Sequence, residues 1–109
     1  MSQVKTKQLE SEIHHKISEI IAELDNTAAA EATVTDVILN NDHSIAKVYV
    51  SFLNNKEKKF FELKKAITHI RKELSASLNV RKVPFIEFHL DDMLKKINEI
   101  EALIKKANK

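Results

Sequence analysis

Only two arginines stand in this chain of 109 residues, which otherwise draws its positive charge from sixteen lysines; both fall in RKELSASLNVRKVP, Arg71 to Pro84. A guanidinium is a planar fork that pairs bidentately with phosphate and stacks on flat rings, which an ammonium does not. Arg71 and Arg81 are therefore candidate contacts to a polyanion. Around them lie Lys58, Lys64, Lys65, Lys72 and Lys82. Residues 56–82 hold nine basic residues against three acidic ones, in a chain whose net charge is only +2, so the remainder is acidic. Charge divided in this way is the footprint of a protein that docks on nucleic acid with one side. If residues 57–79 form one helix, Lys58, Lys65 and Lys72 recur every seven residues and share a face. A lysine stripe is also what any solvated helix face looks like. Arg81 has two open readings: contact with phosphate or base, or a structural role at a helix C-terminus or paired with Glu73 or Glu87.

Other chemistry is poorly supplied. Cysteine is absent, which removes disulfides, thiolate nucleophiles and cysteine metal ligands together. Glycine is absent as well, and phosphate-cradling nucleotide loops need it for positive φ and close backbone approach. Of the five histidines, His14 and His15 point about 100° apart on a helix, and His69 and His89 have no recognisable triad partner. HLDD at 89–92 reads as a strand end and a helix cap. No metal site, cofactor or catalytic activity is expected. No stretch nears the roughly 20 apolar residues of a membrane span, and the N-terminus lacks the apolar core of a signal peptide, so the expected location is the cytoplasm.

The elements that must position the cations follow from periodicity. Leu9, Ile13, Ile17, Ile20, Ile21 and Leu24 recur at three and four, which predicts a first helix; Asp25 and Asn26 end it and the alanines of DNTAAAEA form a connector. TVTDVIL and AKVYVSF predict two strands, the second with Ala46, Val48, Val50 and Phe52 inward and Lys47, Tyr49 and Ser51 outward. Asn40 and Asn41 are expected to supply the left-handed turn conformations usually given to glycine. Phe60, Leu63, Ile67, Ile70, Leu74 and Leu78 form the stripe of a long helical segment with Asn54 or Asn55 as N-cap. Pro84 starts a third strand in which Ile86, Phe88 and Leu90 alternate with Phe85, Glu87 and His89. Asp91 or Asp92 caps a last helix over 91–107. Residues 1–109 thus make one α+β domain with helices against a small sheet. Phe61, Tyr49 and Phe85 offer stacking faces, with core packing favoured for Phe61 and Phe85 and Tyr49 left open.

Three segments, LESEIHHKISEIIAEL, TVTDVILNNDHSIAKVYVSF and AITHIRKELSASLNVRKVPFIEFHLDD, together resemble the ribosome-binding factor A family over roughly residues 5 to 104. The similarity is most specific at Val34-Thr35 and Val37, Asp42, Ala46 to Ser51, Ile70-Arg71, Leu74, and Arg81-x-Val83-Pro84 with Phe88 and Asp91. It implies a KH-like fold of type II, in which two helices meet at a kink and pack on a three-stranded sheet. The kink falls at Ala66, Ile67 and Thr68, with Thr68 where glycine is usual, and either a bent helix or two helices is compatible. In the last helix Glu99 stands where arginine is common. The resemblance further implies binding to the immature small (30S) ribosomal subunit, support for processing of the 5′ end of 16S rRNA, and release on maturation. On this reading the basic helices and Arg81 face RNA, while the acidic remainder faces solvent or basic small-subunit ribosomal proteins. The competing reading is a non-catalytic protein-interaction module; the expected state is a monomer, since no heptad seam is left over.

Overall fold

The computed structural model describes residues 2–78, 80 and 82–91, with side chains from Thr6 onward. The helix expected over 91–107, apart from Asp91, lies outside the described residues, and so does Arg81.

Helix α1 (Ser2–Ala22) forms on the predicted stripe. Ile13, Ile17 and Ile21, four residues apart, are fully buried, while Leu9, Ile20 and Leu24 pack at the margin. The helix ends in tightened turns, where Glu23 N donates to Ile20 O and Leu24 N to Ile21 O. The alanines that follow are not a plain connector. They make a one-turn helix, α2 (Thr27–Ala30), because Asn26 Oδ1 accepts from the backbone N–H groups of Ala28 and Ala29, at 3.0 and 3.3 Å. Asn26 Nδ2 also donates to Glu62 Oε2 at 3.0 Å, tying this turn to the next helix. Asn26→Ala is expected to lower stability by about 1 kcal/mol, read as a drop in the midpoint of thermal unfolding; an unchanged midpoint would argue against this cap.

Strands β1 (Thr33–Leu39) and β2 (Ile45–Ser51) pair antiparallel, and β3 (Phe85–Leu90) joins β2 in parallel, giving the order β1-β2-β3. A parallel partner requires a crossover, which the two intervening helices supply. The β1 register slips between Val34 and Asp36. This leaves Thr35 as the extra residue of a bulge and explains why Val34, Val37 and Leu39, unevenly spaced, all face inward. Thr35 Oγ1 donates to Asp91 Oδ2 at 2.6 Å, linking the bulge to the end of β3.

Glycine's turn positions are filled differently from expectation. Among the described residues the positive φ values belong to His43 (59°) and Asn55 (48°), not to Asn40 or Asn41. Asn40 instead bridges the hairpin: its N–H donates to Ile45 O, its Oδ1 accepts from Ile45 N, and its Nδ2 donates to Ser44 Oγ. That role holds Asn40 out of the left-handed region, and the reversal falls to His43, whose Nε2 lies 2.8 Å from Thr6 Oγ1.

Helices α3 (Lys56–Lys65) and α4 (Ile67–Ser77) follow. The core lies between the helices and one face of the sheet: Ile13, Ile17 and Ile21 from α1, Leu63 from α3, Ile70 and Leu74 from α4, and Ala46, Val48, Val50, Ile86 and Phe88 from the strands. Among the described residues it contains no buried polar side chain. The opposite sheet face carries Lys47, Tyr49, Glu87 and His89, placed there by alternation. There the Tyr49 and His89 rings lie 5.4 Å apart, and His89 Nε2 is 3.1 Å from Glu87 Oε1.

Candidate nucleic-acid interface

The chain between β2 and β3 takes the two-helix alternative, breaking at Ala66. Ala66 sits at φ −89°, ψ 4°, the bridge region open to any L-residue; its N–H still reaches Leu63 O, and its carbonyl accepts from Ile70 N at 3.0 Å. Thr68 lies inside the first turn of α4 and outside the positive-φ set, so its backbone has no need of glycine. Its side chain projects from the start of α4 into a groove.

That groove, about 650 Å³, runs between α4 and the segment leading into β3. Ile67, Thr68, Arg71, Lys72 and Ser75 form one wall; Val80, Lys82, Val83 and Phe85 form the other. Thr68, Arg71, Lys72 and Ser75 recur at i, i+3, i+4 and i+7, so one helical stripe faces the groove while Ile70 and Leu74 face the core. At the far wall Pro84 is fully buried, and Phe85 N donates to Ser44 O at 2.8 Å. Phe85 is 52% exposed, and the Arg71 guanidinium carbon stands 5.3 Å from its ring centroid. Among the described residues, three cations and no carboxylate line the groove.

Lys58, Lys64 and Lys65, on α3, are not part of the groove lining. Because α3 ends at Lys65, Lys58 and Lys65 do not share one continuous helix with Lys72, and the seven-residue stripe is interrupted. Lys64 lies over the half-buried Phe60 ring at 4.9 Å, and Lys65 over Phe61 at 5.3 Å. Lys65 Nζ also pairs with Glu62 Oε2 at 3.1 Å. Hydrogen bonds from Lys65 and then Asn26 hold the Glu62 carboxyl below its ordinary value. The sign follows directly: a depressed carboxylate favours the fold above its unfolded value near 4.5, and that contribution disappears as pH falls through the lower folded value. An NMR titration should therefore show Glu62 titrating below a free glutamate, and Asn26→Ala moving it upward; a Glu62 titration indifferent to Asn26 would contradict the contact.

Phe61, 60% exposed, and Phe85 are not core residues as expected. Leu63 and Ile86 take the inward positions beside them. Ser75, Val80 and Val83 were not among the residues predicted for the site. Ser75 was within reach, since it continues the 68-71-72 stripe; Val80 and Val83 join the groove only through the turn that returns the chain to β3. No group of three metal-ligating side chains occurs among the described residues, and no described helix is long and apolar enough to cross a membrane.

The family model for ribosome-binding factor A matches residues 5–104. The chain belongs to the ribosome-binding factor A family. The ribosome-binding factor A of Mycoplasmopsis agalactiae is 41% identical over 96 residues, covering 87% of this chain and 85% of that protein. The crystal structure of ribosome-binding factor A from Thermus thermophilus superposes with a TM-score of 0.73 at 26% identity, covering 78% of this chain and 93% of the other. A homology model of the Thermus thermophilus factor, fitted into the cryo-EM map of a 30S complex, gives a TM-score of 0.65 at 26% identity, over 75% of this chain and 90% of that one. The fold is accordingly the α+β, KH-like architecture of ribosome-binding factor A, a three-stranded sheet with its helices on one face.

Proposed function

We propose that this protein is a cytoplasmic ribosome-biogenesis factor that binds the free 30S subunit and supports its maturation, including processing of the 5′ end of 16S rRNA. Contact with RNA is made through the basic surface of α3, α4 and the approach to β3, which carries Lys58, Lys64, Lys65, Arg71, Lys72 and Lys82, together with Arg81 of the same basic segment of the sequence. The observation that carries this reading is the groove beside α4, where Arg71, Lys72 and Lys82 converge and no described acidic side chain lines the wall. Such a surface suits a phosphate backbone. Similarity to a factor fitted into a 30S complex supplies the class of partner. The protein acts as a monomer and without cofactor, by occupying RNA rather than by chemistry.

The cellular test is the state of the 16S rRNA 5′ end. Cells lacking the protein should accumulate 5′-extended precursor, and expression of the wild-type chain should restore the mature end. An unchanged precursor level in the depleted cells would overturn the maturation role.

A further inference from the structure

We infer that Phe85 and Arg71 form a stacking platform for one unpaired nucleobase, with Lys72 and Lys82 holding the adjoining phosphates. The inference deepens the RNA-binding reading above and rests on it.

A phenylalanine half exposed at the first position of a strand loses the stabilisation that burial would give it. Here the ring is presented on a fixed backbone, between buried Pro84 and buried Ile86, with its N–H bound to Ser44 O. Ile67 on one wall and Val80 and Val83 on the other add apolar surface to the groove. Arg71 already lies over the ring at 5.3 Å, so the two groups together form one flat surface against which a base can stack. The groove's volume of about 650 Å³ falls within the range of small-ligand sites.

The lining decides what occupies it. Among the described lining residues, three cations without a carboxylate select an anion, and the aromatic and aliphatic side chains select a planar apolar face. Every nucleotide has both features, whereas a run of acidic residues such as hexaglutamate has the first alone. The base must be unpaired, because a duplex hides its faces in the stack. Thr68 adds a hydroxyl at the groove wall where a glycine would offer only backbone.

The test uses the full chain and three hexamer probes: single-stranded RNA, the same backbone with abasic sites, and a hexaglutamate competitor. Base stacking predicts about tenfold tighter binding of the RNA than of the abasic backbone. Phe85→Leu should erase that difference and Phe85→Tyr preserve it, with thermal midpoints close to wild type; Arg71→Lys, which keeps the charge but not the plane, should reduce it. Equal binding of RNA and abasic backbone, an unaffected Phe85→Leu variant, or displacement by hexaglutamate as effective as by RNA would overturn the platform. Binding to isolated small subunits, measured on the same proteins, separates the two readings. Wild-type binding matched by Phe85→Leu removes the platform alone, whereas no wild-type binding removes the ribosomal reading.

Discussion

Reversing the two groove lysines together, Lys72→Glu with Lys82→Glu, is expected to weaken binding to the small ribosomal subunit by about 100-fold near physiological salt and to flatten its salt dependence by about two in log–log slope. Both side chains are exposed and line one groove with Arg71, so the substitutions remove the proposed phosphate contacts without disturbing the core. The paired change Lys58→Glu with Lys64→Glu alters net charge equally but acts on α3, beyond the break at Ala66, where Lys64 lies against Phe60. Its effect should be several-fold smaller. Filter binding of labelled subunits across a salt series checks both. Equal losses for the two pairs would mean that the protein reads only its total charge and that the groove has no special role.

The second large effect is on folding. Leu74→Ala should lower stability by roughly 2–5 kcal/mol, a large part of the roughly 5–15 kcal/mol typical of a domain. Leu74 is fully buried on the inner face of α4, and its carbonyl accepts from Leu78 N at 2.9 Å to close that helix. Lys72, two residues before it, and Ser75, the residue after it, line the groove. Loosening α4 therefore disturbs the site and the core together. A thermal melt should show the midpoint falling by at least about 10 °C. A fall of only one or two degrees would contradict the packing of α4.

Much of this architecture could be read from residue spacing, where one physical constraint dominates. Ile13, Ile17 and Ile21 can be buried together only on a helix, and Ala46, Val48 and Val50 only on a strand. Expectation failed where two constraints compete. The register slip at Thr35 depends on which partner residues β2 presents, and the uneven spacing of Val34, Val37 and Leu39 is its only trace in the sequence. Asn40 is well suited to a left-handed turn, but its side chain is recruited to hold Ile45 and Ser44, so His43 adopts that conformation instead.

The site was half legible in the same sense. Charge alone brings Arg71, Lys72 and Lys82 forward, and the helical stripe from Thr68 to Ser75 is available in the spacing. What spacing does not convey is which cations converge, because the break at Ala66 separates Lys58, Lys64 and Lys65 from α4. Phe85 defeats expectation for a related reason. Alternation sets it opposite Ile86, yet a phenylalanine is so often buried that residue type alone assigns it to the core. The conflict between its residue type and its position is what singles it out.

On the function proposed above, the groove beside α4 docks on RNA of the small subunit. The most direct measurement is binding of the purified full chain to isolated small and large ribosomal subunits over a salt series. The account predicts selective binding to the small subunit, with the logarithm of affinity falling linearly as the logarithm of salt rises. Equal binding to both subunits, or an affinity indifferent to salt, would contradict it.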